Sequence, residues 1–487
     1  MKHTPTARSR SRTTIAVGAL VVAGLLAACN SGSDDTADTA APEATTAATE
    51  PVATDAPAET TADTTADTTA DTTADTTADT TSDSGAPAAD DVVDQSLTGD
   101  APGVTDDTIK VGVTYVDTEA LKAVGLDYDL GPHQAVYEAL FADINANGGI
   151  NGRQIEPVIT AIDPTNAAGA EAACLKQTED DDVFVVTGFF LNDAVMCPLE
   201  VHSTALVGGS ITPELAPRAL APWAAWLASS SQQGVVTQEF ADRGLLEGNL
   251  GVYFAVADQP DYETVVKPVL DELGIVPLSV GINDAPTDDT AASEARVRLI
   301  AEQFKAADVD TILLVGIGTT AWMATMDEDT SYRPQLLFTE LTSARSFYTS
   351  ADTTDTSILE GALAGGGYGP DQARFDTESF QECVAVLTAA AVDTPAPDQF
   401  SADDPSNQPY QAAFQACPDV ALMRAALTRA GENLNYGTFA AAIDGLTITI
   451  PGDPDPRTYS SSPSNGNPPA YIYRWDEATK SVVLDAG

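Results

Sequence analysis

Basic side chains are scarce in this chain: 22 Lys and Arg stand against 73 Asp and Glu, a formal net charge of −51. Nucleic acid and anionic lipid surfaces are therefore poor partners, and the simplest reading of the acidity is solubility outside the cell. Histidine is scarcer still, at three residues, of which only His133 and His202 lie beyond the first 28. The five cysteines include no Cys-x-x-Cys pair, so a zinc site is disfavoured. Gly-x-Ser-x-Gly, His-Glu-x-x-His and a Walker loop are all missing, which removes the usual serine-hydrolase, zincin and P-loop chemistries. Carboxylates are too numerous for any pair to mark a glycosidase. Neither catalysis nor a cofactor is expected. Beyond residue 28 no apolar run reaches the length of a membrane-spanning helix.

What is present begins with a leader. Lys2, Arg8, Arg10 and Arg12 precede "TTIAVGALVVAGLLAA", which has the length of a secretory apolar core. The run ends at "LAAC", Leu26 to Cys29, which resembles the lipobox of bacterial lipoproteins. That resemblance implies a signal peptide over 1–28, a lipid on Cys29 and attachment to the outer face of the cell membrane.

Residues 29–105 read as a disordered linker. From 29 to 100 there are 17 acidic residues and no Lys or Arg, and much of the segment repeats Thr-Ala-Asp-Thr. Such a composition buries too little apolar surface to offset its ordering entropy, and its like charges extend it. A four-residue period offers no packable face, so the repeat is compositional.

About 380 residues remain, enough for two domains with real cores. Residues 101–487 hold 18 basic against 56 acidic side chains. The pattern alternates strand and helix twice. "TIKVGVTYVD", "QIEPVITAID", "VFVVTGFF" and "TALVGGSI" read as strands of a first α/β series, and "GVYFAVAD", "PLSVGIND", "TILLVGIG" and "PQLLFTEL" as those of a second. Amphipathic stretches such as "HQAVYEALFADINA" and "ASEARVRLIAEQFKAA" supply the helices. Cys174, Cys197, Cys383 and Cys417 allow three pairings. Joining 174 to 197 and 383 to 417 closes two short local loops and is the favoured arrangement.

"DINANGGINGR", with "IKVGV" upstream and "IDPTN" downstream, resembles the type I periplasmic solute-binding proteins, the leucine/isoleucine/valine-binding family of ABC importers. Asn147-Gly148-Gly149 would end a helix through positive-φ positions, and Asn151-Gly152 would turn the chain into the next strand. "GSITPEL", "ADQPDYE" and "LTRAGENLNYGTFAAAIDGL" are similar to later segments of that family. The resemblance implies two Rossmann-like lobes joined by a three-crossover hinge, with a solute trapped when the lobes close. The expected division is 106–228 plus about 361–446 for the first lobe, and 229–360 plus about 447–487 for the second. Crossovers are expected near 228–234, 360–368 and 446–451.

Ligands of open α/β sheets sit beyond the carboxyl ends of the strands. In the first lobe this points to Tyr115, Phe189, Ser210 and Thr212, hydroxyls and an aromatic suited to a carboxylate beside an apolar side chain. In the second lobe it points to Thr319. There the resemblance also implies Tyr262 as an aromatic cover and Glu340 as the acceptor of a ligand ammonium. Each of these residues has a plainer reading as a helix cap or core aromatic. The resemblance thus implies a monomeric lipoprotein that captures a small polar solute, best a branched-chain or related amino acid or amide, for an ABC permease. The alternative is a surface receptor that senses the solute. A third reading comes from Gly316-x-Gly318-x-x-Ala321, a dinucleotide-like turn followed by Glu340, and would make the chain an exported oxidoreductase.

Overall fold

The computed structural model describes residues 98–485, apart from 213, 228, 287–288, 328, 351–356, 402–403, 405, 461–469 and 479–480. The leader, Cys29 and the linker as far as residue 97 lie outside the described residues. Among the described residues most strands form two sheets, each wound with helices, and two further strands form a small separate pair.

The first sheet is parallel throughout, in the order β2-β1-β3-β4-β5. Its strands are β1 (Thr108–Val116), β2 (Gln154–Ile162), β3 (Val185–Gly188), β4 (Ala205–Ile211) and β5 (Trp223–Leu227). All four residues of β3 are buried, as expected of a central parallel strand covered on both faces. Helix α1 (His133–Ala146) connects β1 to β2, and α2 (Ala167–Leu175) follows β2, its first turn capped by Asn166.

The segment that carried the resemblance behaves as read. Gly148, Gly149, Asn151 and Gly152 all have positive φ, from 50° to 97°. A Cβ on Gly149 would lie 2.0 Å from the Arg153 carbonyl oxygen, so only glycine fits there. The turn is also pinned to distant chain, because Asn151 Nδ2 donates to the Leu427 carbonyl and Arg153 Nη2 to that of Glu432.

The second sheet has the order β14-β13-β10-β9-β8-β6-β7. Its parallel strands are β6 (Leu250–Ala255), β7 (Ser279–Asn283), β8 (Thr311–Val315), β9 (Gln335–Phe338) and β10 (Leu363–Gly366). The antiparallel pair β13 (Tyr471–Asp476) and β14 (Ser481–Leu484) extends it beyond β10. Helices α3 (Ser229–Asp242), α4 (Lys267–Glu272), α5 (Thr290–Ala306), α6 (Thr320–Met326) and α7 (Leu341–Ser350) wind around it. Val236 and Phe240 of α3 pack in one core with Leu250, Val252 and Ile472.

Helices α8 (Glu378–Ala389), α9 (Gln411–Ala430) and α10 (Tyr436–Ile443) return to the first sheet, where Phe380, Leu387, Met423 and Phe439 join Val111, Val113 and Val185 in one core. Two expected boundaries shift accordingly. Strand β10 belongs to the second sheet through its pairing with β9 and β13, so the chain leaves that sheet at 367–370 and not near 361. Leu446, Ile448, Ile450 and Tyr459 pack in the first core, and the small pair β11 (Thr447–Ile448) and β12 (Arg457–Thr458) goes with them. Residues 461–469, between that pair and β13, lie outside the described residues. The first passage runs from β5 to α3 through residue 228, which also lies outside them.

The disulfides are Cys174–Cys197 and Cys383–Cys417, with Cα atoms 6.3 and 6.1 Å apart. The first ties α2 to the turn after β3, and the second ties α8 to α9. Among the described residues no helix is long and apolar enough to cross a membrane.

Candidate functional site

Strand ends of the second lobe bring three carboxylates together. Asp258 and Asp261 follow β6, and Glu340 follows β9, the neighbour of β8 in the same sheet. Gln233, fully buried on α3, links two of them: its Nε2 donates to Asp261 Oδ2 at 2.9 Å and to Glu340 Oε1 at 3.1 Å. Its Oε1 in turn accepts from the Thr339 hydroxyl at 2.8 Å, which fixes the amide orientation.

These carboxyls are held away from their ordinary titration range. Burial pushes Glu340 up to about 8, the charges of Asp258 and Asp261 add to the shift, and the Gln233 hydrogen bond opposes it. Burial likewise lifts Asp258 to about 7, against the Gly318 N–H that donates to it. Asp261 is raised by burial, lowered by Gln233, and raised again by the charge of Glu214. Glu214 belongs to the first lobe, two residues beyond Thr212. The charge of Glu214 thus reaches Asp261 from the first lobe. No Lys or Arg is among the groups that shift Asp258, Asp261 or Glu340.

The residues proposed from the sequence divide into three groups. Glu340 lies in the cluster just described. Tyr115, Ser210 and Thr212 are partly exposed at the carboxyl ends of β1 and β4. Tyr115 stacks on His133, ring centroids 5.8 Å apart, and its hydroxyl is 3.4 Å from Gln134 Oε1. Burial holds that histidine neutral, with its pKa pushed down to about 4. Ser210 follows a register shift in β4 at Gly208 and Gly209, both of positive φ. A Cβ on Gly209 would come within 2.9 Å of the Phe190 ring.

Phe189, Tyr262 and Thr319 have structural places instead. Phe189 is buried with Val116, Leu121 and Ile162. Tyr262 is buried in the second core, stacked on Phe254 with centroids 4.6 Å apart. Thr319 is fully buried and its hydroxyl donates to the Gly316 carbonyl at 3.1 Å. Gln233, Asp258, Asp261 and Glu214 were missed. "ADQPD" directly after a strand was a usable signal for the two aspartates, whereas Gln233 reads as an ordinary helix residue.

The dinucleotide-like turn is already filled. Gly316 has φ 78°, and a Cβ there would meet the Asp258 carboxyl at 2.3 Å. Gly318 N donates to Asp258 Oδ2 at 2.9 Å. The position a pyrophosphate would take on this turn holds a carboxylate of this chain, and a second anion there would be repelled.

No protein-family profile matches the sequence, and no curated protein matches it. Solved structures do. The periplasmic binding protein type 1 from Bordetella pertussis Tohama I aligns with a TM-score of 0.51 at 16% identity, over 78% of this chain and 100% of that one. An ABC transporter substrate-binding protein from Desulfitobacterium hafniense, in complex with Leu, aligns with a TM-score of 0.52 at 14% identity, over 78% and 100%. An ABC transporter solute-binding protein from R. palustris, in complex with 4-hydroxybenzoate, aligns with a TM-score of 0.51 at 15% identity, over 78% and 96%. The chain has the fold of the type I periplasmic binding proteins: two parallel-stranded α/β lobes between which the chain passes three times. Two of these three are named as solute- or substrate-binding proteins of ABC transporters.

Proposed function

We propose that this chain is an extracytoplasmic solute-binding protein, held to the membrane through Cys29, that closes its lobes on a small amine-bearing solute and presents it to an ABC permease. The observation that carries the reading is the buried carboxyl of Glu340, grouped with Asp258 and Asp261 at the strand ends and hydrogen-bonded through Gln233. Burial disfavours the charged form of these carboxyls, and a cationic group placed among them would restore it and gain charge-assisted hydrogen bonds. A ligand ammonium at Glu340 would favour the closed form by its differential affinity for it. The hydroxyls of Ser210 and Thr212 and nearby backbone N–H groups are suited to the other end of a zwitterion, so an amino acid or its amide is the favoured cargo. The chain acts as a monomer in this reading.

The test is a thermal-shift screen of the purified full chain against amino acids, amides, diamines, aromatic acids, sugars and NAD. A ligand at about 100 times its Kd adds about 2.7 kcal/mol to a native state that alone binds it. A raised Tm with amine-bearing solutes is expected. A shift confined to carboxylic acids without an amine would overturn the assignment of Glu340, and a shift with NAD alone would overturn the transport reading.

A further inference from the structure

Outside the cleft, one corner of the first lobe gathers metal-ligating chemistry that solute binding does not use. Cys174 ends α2, Cys197 opens the helical turn Cys197–Val201, and His202 follows that turn directly. Two sulfurs and one imidazole nitrogen all lie within 4.8 Å of one another. Among the described residues this is the one cluster of three or more His, Cys, Asp or Glu with that spacing. Cys383–Cys417, the other bridge, has no such neighbour.

We propose that reduction of the Cys174–Cys197 bridge converts this corner into a zinc site, with Cys174, Cys197 and His202 as ligands and a water in the fourth position. Zn–S and Zn–N bonds of about 2.3 and 2.0 Å set tetrahedral ligands roughly 3.5 to 3.8 Å apart, so the three atoms need only small movements. A small void of about 10 Å³ lined by Cys174, Thr114, Gln177, Ala194 and Pro198 leaves room beside one of the two sulfurs. The corner is also shielded, since Cys174 is 7% exposed and the His202 side chain 13%.

The imidazole has a partner that fits metal binding. Glu179 Oε1 lies 3.5 Å from His202 Nδ1, within reach of the carboxylate–histidine pairing that orients a ligating ring. The His202 backbone N–H donates to the Cys197 carbonyl at 3.1 Å, which holds the two ligands in one turn. The chemistry balances with a dithiol as reductant. The dithiol gives two electrons and two protons, becomes a cyclic disulfide, and leaves two protein thiols. Zinc then displaces both thiol protons and binds the thiolates.

The experiment is anaerobic titration of the dithiol-treated full chain, freed of reductant, with Co²⁺ and then Zn²⁺. The readouts are the thiolate–cobalt absorption bands and the metal-to-protein ratio. One ion per chain with tetrahedral cobalt bands is expected, and none before reduction. His202→Ala keeps both disulfides and should melt like the parent when oxidised. After reduction it should lose the tetrahedral spectrum, whereas Glu179→Gln should bind about 10- to 100-fold more weakly. Cys383→Ser/Cys417→Ser should leave the spectrum unchanged. Equal binding by His202→Ala, or binding that disappears with Cys383 and Cys417, would overturn the proposal, as would uptake by the oxidised chain.

Discussion

Gln233 Nε2 donates to Glu340 at 3.1 Å and to Asp261 at 2.9 Å, so one buried amide joins the carboxylates of two strand ends. Gln233 lies four residues after Ser229, where α3 begins just past the first passage between the lobes. The group that orders the cluster is therefore carried on the element that enters the second lobe. Gln233→Leu should remove both donors and the acceptor for Thr339, destabilising the protein by about 2 to 3 kcal/mol and raising the titration of Glu340 further. Denaturant unfolding and NMR titration of the glutamate carboxyls measure the two effects.

Glu340→Gln should weaken binding of an amine-bearing solute by about 1 to 3 kcal/mol while leaving the fold intact, because it removes the charge from a charge-assisted hydrogen bond. Calorimetry reads this directly. Affinity equal to the parent's would take Glu340 out of the site.

The raised carboxyls fix the sign of the pH dependence. Asp258 and Glu340 titrate at about 7 and about 8 when folded, well above their ordinary values near 4. Between those limits the folded state holds protons the unfolded chain has released. Their contribution to stability is thus full below about pH 4 and is lost as pH rises towards 8. The ligand-free protein should lose stability over that window, by urea melts at stepped pH. A cationic solute should bind more tightly as pH rises through the same window and release protons on binding within it, visible as a buffer-dependent heat.

A second raised carboxyl sits in the first lobe. Asp419, on α9, is fully enclosed, is lifted to about 8 by burial, and accepts from Trp226 Nε1 at 3.0 Å and the Tyr137 hydroxyl at 3.1 Å. Asp419→Ala should leave both donors buried without a partner and cost about 2 to 4 kcal/mol. Asp419→Asn should instead flatten part of the pH dependence of stability. Chemical unfolding of each variant at pH 5 and pH 8 separates the outcomes.

Gly149→Ala should destabilise by about 1 to 3 kcal/mol, since φ is 72° and the added Cβ would meet the Arg153 carbonyl. Gly152→Ala, with positive φ but nothing within 4 Å of the added Cβ, should cost less. Comparing their melting temperatures distinguishes steric contact from backbone strain alone.

The order of strands and helices in both lobes, the glycine turn after α1 and the short-loop disulfide pairing were legible in the sequence because each is local. Buried parallel strands are continuous apolar runs, the turn needs residues that accept positive φ, and nearby cysteines close small loops. Glu340 was legible for the same reason, as a carboxylate ending an apolar strand. Only the tertiary structure decided the rest. Strand pairing moved Leu363–Gly366 into the second sheet, and core packing kept Tyr459 with the first. Burial placed Tyr262, Phe189 and Thr319 in packed surroundings, and folding brought Asp258 onto the Gly316 turn. The meeting of Gln233, Asp261 and Glu340 depends on contacts between residues far apart in the chain. Local propensity carries no information about such contacts; the packing of two sheets supplies it.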